Sequence, residues 1–300
     1  MIVSTNRGFV FTRIVFLWQW RSSLLFLGAG AAVAAAYEVY DQTYLDLPTL
    51  PLAVVGAALG IFVSFRTNSA YDRWWEGRKL WGRMINESRH WASQIASYVQ
   101  DDGLRRRLVR RHVAYVHALR CLLRQQDPFA DEEVTAMLQD DEAALREESN
   151  LTHALLARQL DDLVEMNADG ALNDFRLQSL DTTLRELINI QGGCERIKKT
   201  PMPPLYGLLA TRLVQFYAVL FPLSVVEELG WWTVPVNLLV CIGFFLIAEA
   251  GRVLEDPFTM FFNGLPLSAI SRMIDVNARQ RIGETDLPPM ITPGDNGVLM

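Results

Sequence analysis

Apolar residues are concentrated in four blocks of this 300-residue chain, and a long charged stretch separates the second block from the third. The blocks lie near residues 22–40, 47–65, 204–229 and 231–250. Roughly 20 mostly apolar helical residues cross a hydrocarbon core about 30 Å thick. The second block has this length and contains no charged residue. We therefore predict that residues 47–65 cross a membrane as a helix.

The other three blocks are also predicted to be membrane-spanning helices. The first is rich in Ala and Gly, and such small side chains let helix backbones approach closely. The third and fourth are joined by an acidic turn with Trp231 and Trp232, and tryptophan is enriched where a helix leaves the bilayer. These two blocks are therefore expected to form a hairpin, in which neighbouring helices satisfy the carbonyl groups that Pro222 and Pro235 leave free.

The charged middle section is predicted to be helical. Across residues 68–126, apolar and aromatic side chains recur every three or four positions, which favours long helices. Neither Gly nor Pro occurs between Phe65 and Gly77, so the second span is expected to continue beyond the membrane as one long helix. Asp127 should end this helical region, because the residue before a proline disfavours the helical conformation.

Further helices are expected over residues 132–166 and from Leu177 to the glycine pair at 192–193, and the last 25 residues are expected to form a loose tail. The predicted fold class is an all-α integral membrane protein with four transmembrane helices per chain and a large helical cytoplasmic region. The predicted divisions are 1–66 (N-terminal segment and transmembrane helices 1 and 2), 67–203 (helical cytoplasmic region), 204–250 (transmembrane helices 3 and 4) and 251–300 (cytoplasmic C-terminal segment and tail).

The charges flanking the spans predict their orientation. Arg7, Arg13 and Arg21 precede the first span, and the middle section is rich in Arg and Lys. The two short turns on the other side contain no Lys or Arg, but they carry Glu38, Asp41, Asp46, Glu227 and Glu228. Since cytoplasmic loops carry an excess of Lys and Arg, both termini of this multi-pass chain are predicted to be cytoplasmic.

The usual sequence signatures of an enzyme or a metal site are missing. No GxxxxGK[ST], GxSxG or HExxH motif occurs. His112 and His117 are five residues apart, a poor spacing for sharing a metal on a helix, and the three cysteines lie far apart in the sequence. We therefore predict no enzymatic activity, no cofactor and no metal site.

The charge pattern also argues against a nucleic-acid partner. The formal net charge is −6. The one strongly basic run, RRRLVRRH at 105–112, is interpreted as an exposed helix face balanced by acidic neighbours. Glu255 and Asp256 are adjacent, so on a helix they point about 100° apart and are expected to have structural rather than acid–base roles.

The second span carries two neighbouring stripes at four-residue spacing. Gly56, Gly60 and Ser64 form a small stripe, and Ala57, Ile61 and Phe65 form a bulky stripe. The small stripe contains a GxxxG motif, which lets helices pack closely, whereas the bulky stripe could form an apolar constriction. The pattern alone leaves ordinary helix packing open. About four spans hardly enclose a pore, so copies of the chain would share one around a symmetry axis.

Three ordered motifs resemble those of the bestrophin family. SFRTNSAYDRWWEGRKLWG at 64–82 resembles the hallmark segment of that family, and GCERIKKTPMP at 193–203 resembles its segment before the third span. EDPF at 255–258, followed by Asn263 and Leu265-Pro266, resembles its segment after the fourth span. The order of the motifs and the layout of the spans also agree, so the resemblance covers about residues 8–280.

The resemblance implies a homopentameric ion channel of the bacterial inner membrane, with one pore on the five-fold axis and a narrow hydrophobic neck. The neck positions fall on Ala57, Ile61 and Phe65. Ala57 stands where the family usually has a larger aliphatic residue, which leaves the width of the outer neck open. Phe175 is the candidate for a lower, cytoplasmic constriction. The implied partners are further copies of the chain, the lipid bilayer and small permeant ions.

The resemblance does not determine how the channel is regulated or whether the permeant ion is a cation or an anion. The residues of this chain bear on both questions. Animal bestrophins bind calcium through an acidic cluster after the fourth span, whereas Glu255-Asp256 is followed by PFTMFFNG, which has no carboxylate. Calcium sites need six or more oxygen ligands, so no calcium gating is expected. The acidic outer turns would concentrate cations, so a monovalent-cation preference is predicted. A chloride channel and a non-conducting membrane scaffold remain alternatives.

Overall fold

A computed structural model describes residues 20–45, 47–138, 142–294 and 298–299, and these are almost entirely α-helical or connecting turns. The predicted segment before Trp20 and the predicted acidic residue Asp46 lie outside the described residues. The chain divides into two compact units. The first unit contains residues 20–74 and 201–255, and the second contains residues 75–200 and 256 onwards.

The helices occur where the apolar blocks and the helical spacing predict them, with several changes of boundary. The α-helices in chain order are α1 (Trp20–Glu38), α2 (Thr49–Tyr98), α3 (Asp102–Leu123), α4 (Glu132–Leu138), α5 (Glu142–Leu145), α6 (Leu151–Ala168), α7 (Asp174–Lys199), α8 (Pro204–Leu229), α9 (Thr233–Leu254) and α10 (Leu267–Arg281). Single 3₁₀ turns occupy Thr43–Leu45, Pro128–Ala130 and Gly230–Trp232.

The first unit is a bundle of α1, the beginning of α2, α8 and α9. Its buried core includes Phe26 of α1, Val63 of α2, Val214 of α8 and Cys241 of α9. Two stretches, Pro51–Tyr98 and Pro204–Leu254, are long and apolar enough to cross a membrane by length and composition. The bundle therefore has the composition expected of a membrane-embedded unit.

A side chain on α9 satisfies the carbonyl that the proline of α8 leaves free. Pro222 cannot donate a hydrogen bond to the carbonyl of Ala218, four residues earlier. Asn237 supplies this donor, because its Nδ2 lies 3.1 Å from the Ala218 carbonyl oxygen and 2.8 Å from that of Phe26. The expectation that neighbouring helices accommodate Pro222 is therefore confirmed, and the same amide links three helices.

Helix α2 is continuous for 50 residues, so the prediction that the second span continues as one long helix is confirmed. The expected helical region up to residue 126 is, however, divided after Tyr98. The chain turns at residues 99–101, and the carboxylate of Asp101 accepts a hydrogen bond of 2.6 Å from the backbone N–H of Leu104. A side chain that accepts a hydrogen bond from the first turn of a helix defines where that helix begins, and Asp is well suited to this position. Asp101 therefore separates α3 from α2.

The second unit is organised around α3, which is buried along most of its length. Helices α4, α6, α7 and α10 pack around it. The basic run at 105–112 has the predicted acidic partners, since Arg107 and Arg111 both contact Asp162. The interpretation as an exposed helix face fits Arg106 and Arg107, but it is wrong for Arg111 and His112, which are buried.

Three other boundaries differ from the sequence predictions. The stretch 132–166 is divided into α4, α5 and α6, and Asn150 starts α6 by accepting a hydrogen bond of 3.1 Å from the N–H of His153. Helix α7 continues through the glycine pair at 192–193, because Gly193 lies against the side chain of Leu80 and the helix needs no turn there. The predicted tail is helical up to Arg281, where α10 ends.

Candidate pore-lining site

The small stripe of α2 is packed inside the first unit only at its beginning, because Gly56 is buried, Gly60 is partly buried and Ser64 is exposed. A Cβ atom added at Gly56 would lie 2.6 Å from the hydroxyl oxygen of Tyr217, and one added at Gly60 would lie 3.4 Å from the ring of Phe244. Both aromatic side chains belong to the helices that pack against α2. Close approach of helices therefore explains the GxxxG motif, as expected for small residues at a membrane-helix contact.

The bulky stripe has the opposite surroundings. Ile61 is 59% exposed and Phe65 is 67% exposed, and Ala57 is exposed as well. Together with Gly60, Ser64 and Asn68, these three residues line an open groove of about 470 Å³. Helix α2 thus has one side inside the bundle and an apolar stripe that the described part of the chain leaves uncovered. An apolar stripe of this kind requires lipid or another protein surface to cover it.

A buried arginine directly after the bulky stripe fixes the rotation of α2. Arg66 is only 3% exposed, and its guanidinium lies 2.6 Å from a carboxylate oxygen of Glu255 and 3.0 Å from the carbonyl oxygen of Ala248. A buried charge is tolerated only when it is paired and hydrogen-bonded, so this contact strongly constrains the helix. With Arg66 turned towards α9, Ile61 and Phe65 face outwards. The sequence argument did not identify this anchoring residue, although an arginine directly after an apolar span was the available signal.

Two hydrogen bonds and a close backbone approach strengthen the same contact. The hydroxyl of Thr67 donates to the carbonyls of Val63 and Ile247, at 2.9 and 3.0 Å. A Cβ atom at Gly251 would lie 3.2 Å from the Cα of Thr67, so this glycine lets α9 approach α2. The orientation of the bulky stripe is therefore set by polar contacts next to it.

The acidic residues predicted on the outer side lie at one end of the first unit. Glu38 is the last residue of α1, and Asp41 lies in the loop that follows this helix. Glu227 and Glu228 lie in the last turn of α8. The carboxylate of Glu38 lies directly beside Gly230, which brings the ends of α1 and α8 together. All four acidic side chains are exposed.

Among the described residues of the second unit, Phe175 is the most exposed large apolar side chain, at 85%. It occupies the first turn of α7, where the side chain of Asn173 accepts a hydrogen bond of 2.9 Å from the N–H of Arg176. This cap holds the helix terminus in one conformation. Phe175 is therefore exposed to the surroundings of the chain, and its role in a constriction stays a prediction.

The carboxylates of Glu255 and Asp256 have separate partners, as expected from their adjacent positions. Glu255 belongs to the first unit, where it pairs with Arg66. Asp256 belongs to the second unit, where one of its oxygens lies 2.6 Å from the ammonium group of Lys198. Each carboxylate therefore acts as a structural contact in its own unit.

Comparison with known proteins now identifies the family. Residues 2–280 match the family described as Bacterial/Fungal Bestrophin protein. The chain belongs to the bestrophin family. The resemblance inferred from the three motifs is thereby confirmed.

Two relatives of this bestrophin illustrate how similar the family members are. The voltage-dependent anion channel-forming protein YneE of Escherichia coli K12 is 30% identical over 94% of this chain and 94% of its own length. A voltage-dependent anion channel-forming protein of Ralstonia nicotianae is 35% identical over 81% of this chain and 80% of its own length. The names of these relatives agree with the prediction of a channel rather than an enzyme.

A solved structure supports the same assignment at the level of the fold. A bacterial bestrophin homologue from Klebsiella pneumoniae has a TM-score of 0.83 to this chain and is 29% identical. The match covers 88% of this chain and 98% of that homologue. The bestrophin described here is therefore an all-helical member of a membrane-protein family.

Proposed function

We propose that this bestrophin is a homo-oligomeric ion channel whose neck is lined by Ala57, Ile61 and Phe65. The observation that carries this proposal is the exposed apolar stripe on a helix whose other side is held in the bundle at Gly56 and Arg66. Identical copies around an axis would cover the stripe and place the same residue of every chain at the same height. Five copies, as the resemblance implies, would form rings of Ile61 and Phe65.

The proposed neck would control conduction through its hydration. An apolar constriction excludes water when it is narrow, and an ion cannot pass without its hydration shell or a polar replacement for it. Ala57 would make the outer end of the neck wider than the rings of Ile61 and Phe65. Phe175 would form a second ring on the cytoplasmic side, below the membrane.

The membrane topology that belongs to this proposal has four spans, α1, the first part of α2, α8 and α9. Both termini would lie in the cytoplasm of a bacterium and the spans in its inner membrane. The absence of Lys and Arg from the two short turns supports this orientation, together with the basic residues on the other side of the spans. The region 67–203 would then be the cytoplasmic part of the channel.

We propose anion selectivity, because the relatives in Escherichia coli and Ralstonia nicotianae are named anion channel-forming proteins. These names favour the anion alternative over the cation preference predicted from the acidic turns. The acidic residues Glu38, Glu227 and Glu228 favour the second candidate, a cation-preferring channel.

Recordings from the purified protein in planar bilayers test both the channel and its selectivity. A channel gives unitary current steps, whereas a non-conducting scaffold gives none. Under a KCl gradient, an anion channel reverses near the chloride equilibrium potential and a cation channel near the potassium potential. The triple variant Glu38→Gln, Glu227→Gln, Glu228→Gln shows how far the acidic turns shift this value. Absence of unitary steps at any voltage would contradict the proposed function.

A further inference from the structure

A polar pocket lies between the beginning of α8 and the end of α9, within the first unit. Arg212 and Gln215 line it from α8, Glu249 and Arg252 line it from α9, and Arg66 lines it from α2. Its volume is about 470 Å³. Pockets that bind small ligands have volumes of about 300–1,000 Å³. The pocket shares no lining residue with the open groove beside the bulky stripe, so it is separate from the proposed neck.

Arg212 brings an unpaired positive charge to this pocket. It lies in the third turn of α8, and its guanidinium donates a hydrogen bond of 3.0 Å to the side-chain oxygen of Gln215. Within the part of the chain that the structure describes, it forms no ion pair with a carboxylate. An arginine inside an apolar span is costly, and such a residue marks a functional site with a partner of opposite charge. The partner of Arg212 is therefore expected to come from outside the chain.

The surface of α8 around Arg212 is apolar and exposed. Leu205, Leu208, Leu209 and Leu213 are between 41% and 61% exposed. In a membrane, acyl chains cover a surface of this kind, since the hydrocarbon core is apolar. A positively charged pocket next to exposed leucines matches the two parts of an anionic phospholipid, which are its phosphate group and its acyl chains.

The pocket has an excess of positive charge. Its lining contains three arginines and two glutamates, which leaves one positive charge: Arg66, Arg212, Arg252, Glu249 and Glu255. The carboxylate of Glu249 is already bound by Arg252 through three contacts of 2.5–2.9 Å. Arg73 adds positive charge beside the pocket, because its Nε donates a hydrogen bond of 2.7 Å to the backbone carbonyl of Glu255. The charge balance therefore favours an anion.

Arg66 and the beginning of α8 add to the positive potential. The Nε atom of Arg66 is buried and has no hydrogen-bond partner among the described residues, which is uncommon for a buried donor. A Cβ atom added at Gly207 would lie 3.2 Å from Nη2 of Arg66, so the first turns of α8 approach this guanidinium closely. Pro203 supplies no side-chain cap to α8. Uncapped N–H groups and the helix dipole attract phosphate to such a terminus.

We propose that this pocket binds the phosphate group of an anionic phospholipid, with Arg212 and Arg252 as its ligands and the acyl chains on the exposed leucines of α8. A planar guanidinium offers parallel donors that match phosphate oxygens. Basic pockets between membrane helices on the cytoplasmic side bind anionic headgroups in the same way. The inference rests on the proposed topology for the leaflet, because α8 begins and α9 ends on the side proposed to be cytoplasmic.

Lipid binding is tested by native mass spectrometry of the full-length protein in detergent, after co-purified lipid has been removed. Dioleoyl phosphatidylglycerol is added to one sample and dioleoyl phosphatidylcholine, which has the same chains and phosphate but no net charge, to another. We expect one phosphatidylglycerol per chain. Binding should be about fivefold to tenfold weaker for phosphatidylcholine, and for phosphatidylglycerol in Arg212→Gln and in Arg252→Gln. Arg106→Gln is the matched control, because Arg106 is an exposed arginine in α3 of the second unit, and it should bind like the native chain.

Two further samples separate a lipid site from a general effect of charge. Arg212→Lys keeps the positive charge and loses the parallel donors, so its affinity for phosphatidylglycerol should lie between those of the native chain and Arg212→Gln. Inorganic phosphate at the lipid concentration should not displace phosphatidylglycerol, because it has no acyl chains to contact α8. Size-exclusion elution and helical circular dichroism show whether each variant is folded.

Equal retention of phosphatidylglycerol by the native chain and the folded Arg212→Gln and Arg252→Gln variants would overturn the proposal, and so would equal binding of the two lipids. Displacement by inorganic phosphate would identify a free anion as the ligand instead of a lipid. A native chain that binds no lipid, together with loss of the oligomer in Arg212→Gln, would show that a neighbouring copy covers the pocket. None of these measurements uses ionic current, so a failure of lipid binding is distinguishable from a failure of the proposed channel function.

Discussion

Ile61 and Phe65 are exposed for more than half of their surface, although they lie in the uncharged apolar span 47–65. Their helix cannot rotate to bury them, because the guanidinium of Arg66 is held by Glu255 and by the carbonyl of Ala248. These two side chains therefore remain available to line a shared neck.

The first prediction concerns these two residues. Ile61→Ala and Phe65→Ala should each raise the single-channel conductance, because a shorter side chain widens an apolar ring and stabilises water inside it. Single-channel recording in symmetric KCl measures the change. Phe216→Ala is the control, because Phe216 is a similarly exposed phenylalanine, at 66%, on α8. Unchanged conductance in both neck variants would place the constriction elsewhere.

A buried histidine predicts how stability depends on pH. His112 is fully buried between Trp91 and Tyr115, and burial lowers its pKa to about 3 from an ordinary value of 6.5. The unfolded chain therefore binds a proton at a higher pH than the folded chain does. The stability contributed by neutral His112 is complete above pH 6.5 and is lost as the pH falls from 6.5 towards 3.

The second prediction follows from the direction of this pKa change. Between pH 6.5 and 4, the free energy of unfolding should fall by roughly 1 kcal/mol per pH unit through His112 alone. Thermal unfolding in detergent at several pH values measures this dependence, and His112→Leu should make it shallower. His117, whose pKa burial lowers to about 4, contributes in the same direction and leaves part of the slope. The same slope in the native chain and in His112→Leu would contradict the prediction.

At the scale of single helices, α7 shows how two adjacent glycines have different roles. Gly192 is exposed and has nothing within 4 Å of an added Cβ atom. At Gly193 an added Cβ atom would lie 2.8 Å from a methyl group of Leu80, whose side chain is buried. The helix continues through both positions because packing on Leu80 outweighs the weak helical propensity of glycine.

The third prediction compares alanine at these two positions. Gly192→Ala should raise the free energy of unfolding by about 0.5–1 kcal/mol, because alanine favours the helix. Gly193→Ala should lower it by about 1–3 kcal/mol, because the added methyl group overpacks the contact with Leu80. Chemical or thermal unfolding of both variants measures the difference. Leu80→Ala combined with Gly193→Ala should recover part of the loss, and equal effects of the two single changes would contradict the packing argument.

At the scale of the whole molecule, the uncovered stripe requires lipid or the surface of another copy to cover it. Lipid tails are as apolar as these side chains, so assembly in the membrane depends on close packing between the helices of neighbouring copies. A head-to-tail interface closes into a ring of defined size. The fourth prediction is therefore a closed oligomer.

Five chains of 34.0 kDa would have a mass of about 170 kDa without bound detergent. Native mass spectrometry, or light scattering corrected for detergent, measures this mass. Phe216→Ala should not change it, because Phe216 belongs to another helix face and is not placed in the neck. A mass of one chain under mild detergent conditions would contradict the assembly, and a different multiple would change the number of copies in the ring.

Local patterns in the sequence were sufficient for the helical class, the long α2, the two stripes and the bestrophin motifs. These features depend on the spacing of residues that are close in sequence, and helical periodicity makes that spacing visible. Composition likewise identified the apolar blocks, because a membrane span needs a continuous apolar segment. The boundaries were less accurate where one side chain decides them, as with Asp101 and Asn150, or where packing overrides propensity, as at Gly193.

Only the tertiary structure decided which side of α2 packs in the bundle and which side is exposed. That choice depends on contacts between residues nearly two hundred positions apart, such as Arg66 with Glu255, and periodicity carries no information about them. Sequence alone therefore determined what each helix is, and the three-dimensional contacts determined which way it faces.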